Sequence, residues 1–152
     1  MKQLNRRHFL ILAGLAPMAA PTGGIAEGAA PFAPIPAGEV VEADFLFLRR
    51  PVIVFADTPN DPAFIRQMEL LSRYHAELAA RDVILITDTD PAAQTTLRKR
   101  LRPRGFALVL MDKDWKSTIR KPLPWDGREV VNAIDKMPIA RAEALEKNPA
   151  GR

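Results

Sequence analysis

Pro51-Val52-Ile53-Val54-Phe55-Ala56, then Asp57-Thr58-Pro59-Asn60 and Asp61-Pro62, is the stretch on which the fold turns. The apolar run is rich in β-branched and aromatic residues and has no polar face, so its strand must be covered on both sides at the centre of a sheet. The polar tetrapeptide that follows is a loop. Asp61 offers a carboxylate to free helix N–H groups, and Pro62 at the first helical position gives up no hydrogen bond, so a helix starts there. Phe64, Met68, Leu71, His75 and Leu78 recur at spacings of four and three, and Ile65 widens the stripe. This predicts one helix running to Ala80 and packed on the sheet.

Outward from this core, Val83-Ile84-Leu85-Ile86-Thr87 is a second buried strand. Strand, helix and strand of these lengths form a right-handed βαβ unit, which makes the two strands parallel neighbours. Asp88-Thr89-Asp90-Pro91 repeats the Asp-Pro device and opens a more polar helix from Pro91 to Arg102, ended by Pro103 and Gly105. Phe106 to Met111 is a third buried run, Asp112-Lys113-Asp114 a turn, and Trp115 to Arg120 an alternating hairpin partner. After the loop Pro122-Leu123-Pro124-Trp125, Asp126 caps a last helix with Val130, Val131 and Ile134 on its apolar face. Pro138 limits it, and Ile139 to Lys147 add a frayed helical tail.

Upstream, Asn5-Arg6-Arg7-His8-Phe9-Leu10-Ile11 resembles a twin-arginine export signal, and a mildly apolar stretch follows to Ala20. A membrane span needs about 20 apolar residues, so cleavage is expected, at small-residue sites after Ala26 or Ala30. The expected division is a signal peptide over 1–30, a Pro/Ala-rich linker over 31–44, a domain over 45–147 and a tail over 148–152. Phe45-Leu46-Phe47-Leu48 is either a short edge strand or a helical turn. The destination of such a chain is the periplasm.

Composition excludes whole classes of chemistry. The chain has no cysteine, which removes disulfides, thiolate nucleophiles, dithiol redox chemistry and sulfur-ligated metals together. Of its two histidines, His8 belongs to the leader, and His75 alone cannot build a multi-histidine zinc site or an ordinary serine–histidine pair. The formal charge of +4 falls to +2 when the leader, with Lys2, Arg6, Arg7 and Glu27, is set aside. That is too small to argue for nucleic acid. No cofactor motif is present.

The order βαβ, helix, ββ hairpin, helix is thioredoxin-like. Arg50-Pro51 before the first run, Arg81-Asp82-Val83 opening the second, Lys113-Asp114 after the third, and Ile134-Asp135-Lys136-Met137-Pro138 with Arg141 together resemble the P-DUDES domain, domain-of-unknown-function family 4174. The resemblance covers roughly Phe45 to Glu143. It implies a three-layer α/β/α sandwich with a four- to five-stranded mixed sheet, distantly peroxiredoxin-like, and brings no established reaction. Arg50, Lys113, Asp114, Asp135, Met137, Pro138 and Arg141 are the family-motif candidates. Where the family commonly has a glycine after Lys-Asp this chain has Trp115, so a tight glycine-dependent turn is not expected there.

Four places invite a function. The corner Thr58, Asn60 and Asp61, with Arg104 on the approach to the third strand, lies where a thioredoxin presents its reactive cysteine at a helix N-terminus. Here it offers a hydroxyl, an amide and a carboxylate, and helix capping accounts for Asp61. Asp57, Asp88 and Asp90 share one sheet edge and could hold a hard cation, although Asp-Pro capping explains them without a metal. Arg98, Lys99, Arg100, Arg102 and Arg104 form the densest charge run, read as a solvated face or, more sharply, as a contact for anionic lipid. Trp115 and Trp125 either close the core or form an aromatic patch. The preferred reading is a periplasmic, non-thiol module that binds a protein or envelope component. The alternative is an enzyme descended from a peroxiredoxin-like oxidoreductase and working through non-cysteine residues.

Overall fold

The computed structural model describes residues 32–149. The expected export signal with its expected cleavage sites, and the last residues of the tail, lie outside them. The order of elements is β1 (Ile35–Pro36), α1 (Glu42–Phe45), β2 (Arg50–Phe55), α2 (Pro62–Ser72), α3 (His75–Ala79), β3 (Val83–Asp88), α4 (Thr96–Leu101), β4 (Ala107–Met111), β5 (Ser117–Lys121), α5 (Gly127–Asp135) and α6 (Pro138–Lys147). Short 3-10 turns occupy Ala37–Glu39 and Pro91–Ala93. Five strands form one mixed sheet in the order β1-β3-β2-β4-β5. As the apolar runs require, β2 is central. It pairs in parallel with β3 from Arg50 opposite Val83 to Phe55 opposite Asp88, and antiparallel with β4 from Val52 opposite Leu110 to Phe55 opposite Ala107.

The alternation of β2 separates two cores. Val52 and Val54 face Leu71, Leu78, Val130, Ile134 and Met137 beneath α2, α3 and α5. Ile53 and Phe55 face Leu97, Leu101, Val109, Met111 and Trp115 on the side of α4. This is the expected α/β/α sandwich, with both faces of the sheet dry at its middle.

Four expectations are corrected. The described part of the expected linker, residues 32–44, is not plain: Ile35 and Pro36 pair in parallel with Ile86 and Thr87, and Ala37 is buried. A two-residue strand ending in proline has no sequence periodicity, and its proline suits an edge position. Of the two readings left open for Phe45 to Leu48, the helical turn is the one that forms, closed by Phe45, with Leu46 and Arg49 donating back to Glu42 and Phe45 carbonyls. The first long helix breaks at Arg73 and Tyr74, and the second is a 3-10 turn, a left-handed Gln94 (φ 46°) and the short α4 capped by Thr95. Finally, a tight turn does form at Trp115, which adopts φ 56° and donates its N–H to the Asp112 carbonyl at 2.9 Å. Its indole is buried against Phe45 and donates Nε1–H to the Arg49 carbonyl at 3.2 Å. Side-chain burial there offsets a backbone conformation that glycine would adopt freely.

Candidate functional site

Candidate residues collect at opposite ends of the sheet. At the end where β2 and β3 finish and β4 begins lies the corner. Asp61 Oδ1 accepts from Ala63 N–H at 2.8 Å and from Phe64 N–H at 3.4 Å, and Thr58 Oγ1 accepts from Asn60 N–H at 3.1 Å. Asp61 therefore caps the start of α2, whereas the Thr58 hydroxyl closes a turn within the loop before it. Thr58 and Asn60 are exposed, and Arg104 is held by the separate loop before β4. Gly105 in that loop has φ 62°, and a side chain added to it would meet Asp57.

Beneath the corner is an ion pair that the sequence reading placed on a solvated face. Arg98 is buried and donates Nε–H to Asp88 Oδ1 at 2.9 Å, and through Nη2 to the Ala56 carbonyl at 2.8 Å and the Asp88 carbonyl at 3.0 Å. Asp88 also accepts from Thr95 Oγ1 at 2.6 Å. Asp57 stands 3.8 Å from Arg98 Nη1. Asp88 thus ties α4 to the sheet rather than capping a helix, whereas Asp90 does cap, accepting from Ala92 N–H at 2.9 Å. Among the described residues no three acidic or histidine side chains converge as a cation site would need. The run also divides: Arg98 is structural, Arg100 pairs with Glu42 at 2.6 Å, and Arg102 and Arg104 are exposed.

The opposite end holds the motif residues. Arg50, 2% exposed at the start of β2, donates Nε–H to Asp112 Oδ1 at 3.0 Å, Nη1–H to the Arg81 carbonyl at 2.9 Å and Nη2–H to Glu143 at 2.7 Å. Asp112 also accepts from its neighbour Lys113 N–H and, through Oδ2, from Ile139 N–H at 2.8 Å, which satisfies the first turn of α6. Lys113 Nζ bridges Asp82 at 2.9 Å and Glu143 at 2.5 Å. Burial pushes the Glu143 carboxyl up, but hydrogen bonds from Lys113 and Arg50 and their charges outweigh it and hold its pKa below the ordinary 4.5. For Lys113, burial favours the neutral amine, and the carboxylates of Glu143 and Asp82 reverse that, raising it above 10.5. Arg81 makes a two-armed pair with Asp135 at 2.6 and 2.8 Å. A cavity of about 260 Å³ opens between Arg81, Asp82, Asp135, Glu143 and Lys147.

The motif candidates therefore do not act as one group. Arg50 and Lys113 share the network, Asp135 borders it through Arg81, Met137 is buried in the core and Pro138 starts α6. Asp114 instead accepts from Lys116 N–H at 3.2 Å, and Arg141 is exposed on α6. Asp112, Asp82 and Glu143 were not picked out as site residues in the sequence. One signal could have found Asp112. Once Val52 faces Leu110, the register continues to Arg50 and Asp112, a charge just outside each apolar run.

A further groove of about 530 Å³ lies beside the corner, lined by Leu101, Arg102, Arg104, Phe106, Arg120 and Pro122. Trp125 is half-buried: its N–H and carbonyl are clamped by the buried Gln67 amide at 2.8 and 3.0 Å, and Lys121 Nζ lies 4.3 Å from its ring centre.

The chain is similar in fold to Plasmodium yoelii Prx1a, at 15% identity over 72% of this chain and 82% of that one, with a TM-score of 0.51. Desulfothioredoxin from Desulfovibrio vulgaris Hildenborough matches at 23% identity over 66% of this chain and 93% of its own, with a TM-score of 0.47. None of the curated proteins matches. The family described as Domain of unknown function (DUF4174) matches residues 43–143, a stretch that takes in Arg50, Asp82, Asp112, Lys113 and Glu143, and the chain belongs to that family.

Proposed function

We propose that the chain is an exported, cysteine-free module that keeps a thioredoxin-like scaffold for its shape and binds a protein or other envelope component, without thiol redox chemistry. The observation that carries this reading is how the corner's polar groups are used. Where the fold would present a reactive thiol, Asp61 caps the start of α2, Thr58 accepts from Asn60 N–H within the loop, and Arg98 and Asp88 neutralise one another beneath. A nucleophile or general base is activated by a neighbouring base or by a shifted pKa, and the partners of the Asp61 and Thr58 oxygens are backbone N–H groups rather than any such activating side chain. Recognition through exposed groups remains open to the same surface. Export is supported by Arg6-Arg7 and the apolar stretch to Ala20.

The test uses the full chain as bait in periplasmic extract, alongside assays of the purified chain with peroxide and disulfide substrates. Capture of a defined partner with no turnover is expected. Turnover that disappears in Thr58→Ala and Asp61→Ala while the fold persists would instead establish the enzyme. Replacing Arg6 and Arg7 with lysine should hold the chain in the cytoplasm, and unchanged periplasmic delivery would refute the export reading.

A further inference from the structure

Resting on the binding-module reading, we infer that the groove between α4 and the β4–β5 hairpin takes an extended, carboxylate-rich polypeptide segment. Three guanidinium groups converge there, from Arg102 just after α4, Arg104 in the loop before β4 and Arg120 in β5, and no carboxylate lines the groove. Most other arginines are neutralised: Arg50, Arg81, Arg98 and Arg100 each reach an acid within 3.0 Å, and Arg66 and Arg73 share Glu69, while the exposed Arg128 and Arg141 sit on separate helices, so the groove is set apart by having three together. Asp57, the carboxylate beside Gly105, stands toward Arg98 rather than lining the groove.

The shape of the site selects among anions. Arg120 donates to the Leu101 carbonyl, which fixes one wall, while Phe106, Leu101 and Pro122 give an apolar floor. A guanidinium presents paired donors that match a carboxylate. Among the described elements β5 pairs only with β4, so its outer edge offers free backbone N–H and C=O groups at the border of the groove. An extended peptide can add to such an edge while every second side chain points one way, which places alternate acids at the arginines. A lipid surface is flat and has no use for a strand edge or a recessed apolar floor.

The experiment titrates the full chain into a fluorescein-labelled octapeptide of alternating glutamate and threonine, with a lysine–threonine peptide and phosphatidylglycerol vesicles as the other arms. Saturable binding of the glutamate peptide alone is expected. Arg104→Glu should weaken it at least tenfold and Arg104→Gln by less, whereas Arg128→Glu, on α5 across the sheet, should leave it unchanged. Urea midpoints within error of the parent confirm that the variants fold. Binding should also weaken steeply between low and high salt, because the pairing is ionic. Absence of peptide binding, binding indifferent to Arg104→Glu, or binding to vesicles in place of peptide would each overturn the inference. If the chain captures a partner from extract through another surface, the groove assignment falls and the module reading stands. If it proves to be a catalyst, the module reading falls whatever the groove binds.

Discussion

Arg50→Leu should be among the most damaging single substitutions in the domain, and the structure sets its size. The side chain is 2% exposed and donates to Asp112, Glu143 and the Arg81 carbonyl, while the Asp112 side chain is itself 4% exposed. Removing one partner of a buried ion pair strands the other charge and costs about 3–5 kcal/mol. Asp112 would keep its N–H donors from Lys113 and Ile139, which points to the low end, about 3 kcal/mol. At about 4 °C per kcal/mol for a domain slightly above about 100 residues, the melting temperature should fall by about 12 °C. Urea unfolding followed by circular dichroism measures the loss directly, with an unchanged slope if the denatured state is unaffected. In a cycle with Asp112→Ala the double variant should be less damaged than the two losses added, since no charge is left stranded. A change within about 0.5 kcal/mol for Arg50→Leu alone, the range of ordinary surface substitutions, would refute the assignment of this pair as a structural anchor.

The same network predicts a pH window. Glu143 is depressed, so its contribution is present above its ordinary 4.5 and is lost as pH falls through the lower folded value. Lys113 is raised, so its contribution is present below 10.5 and is lost as pH rises through the higher folded value. Protection factors of the amides of residues 139–147, which correct for the intrinsic pH dependence of exchange, should therefore stay high between these limits and fall first outside them, and Glu143→Gln should lower them at neutral pH. Asp61→Ala removes the acceptor for Ala63 and Phe64 N–H and should cost about 1 kcal/mol in urea unfolding, the usual worth of an N-cap. Gly127→Ala places a methyl group 2.4 Å from Tyr74 Cδ2 and 2.8 Å from the Leu70 carbonyl oxygen, and overpacking of that kind costs about 1–3 kcal/mol. A neutral Gly127→Ala would mean that α2 and α5 are free to separate.

What could be read in advance follows from the range of the forces involved. Apolar runs and Asp-Pro starts act over a few residues, so β2, β3, β4 and the start of α2 were visible in the chain. Short elements fixed by tertiary contact were not. Ile35–Pro36 becomes a strand only because β3 offers an open edge, and α2 stops at Ser72 although its apolar stripe continues. Trp115 shows a side chain overriding a backbone preference, because burial of the indole favours a turn that its φ alone would disfavour. The candidate corner was located correctly as a loop and helix cap, but Arg98 could not be separated from its charged neighbours. Helical spacing places a residue on a face and says nothing of a carboxylate ten positions away that swings in to meet it.

The two ends of the sheet differ in how charge is used, and α6 gives the physical reason. No residue of that helix is fully buried, so hydrophobic burial alone cannot hold it against the domain. Ala140 supplies a small apolar contact, Asp112 caps the first turn, and the half-buried Glu143 binds both Arg50 and Lys113, so ions carry much of the attachment. Such attachment is directional: a carboxylate shifted by an ångström or two loses its hydrogen bonds, whereas an apolar face can slide. The network therefore fixes the position of α6 more than it raises total stability. At the other end Arg102, Arg104 and Arg120 have no such compensation within their groove. Carboxylates are placed where α6 must be held and none lines the groove where three guanidinium groups lie together, and that contrast is why we infer recognition at the open end.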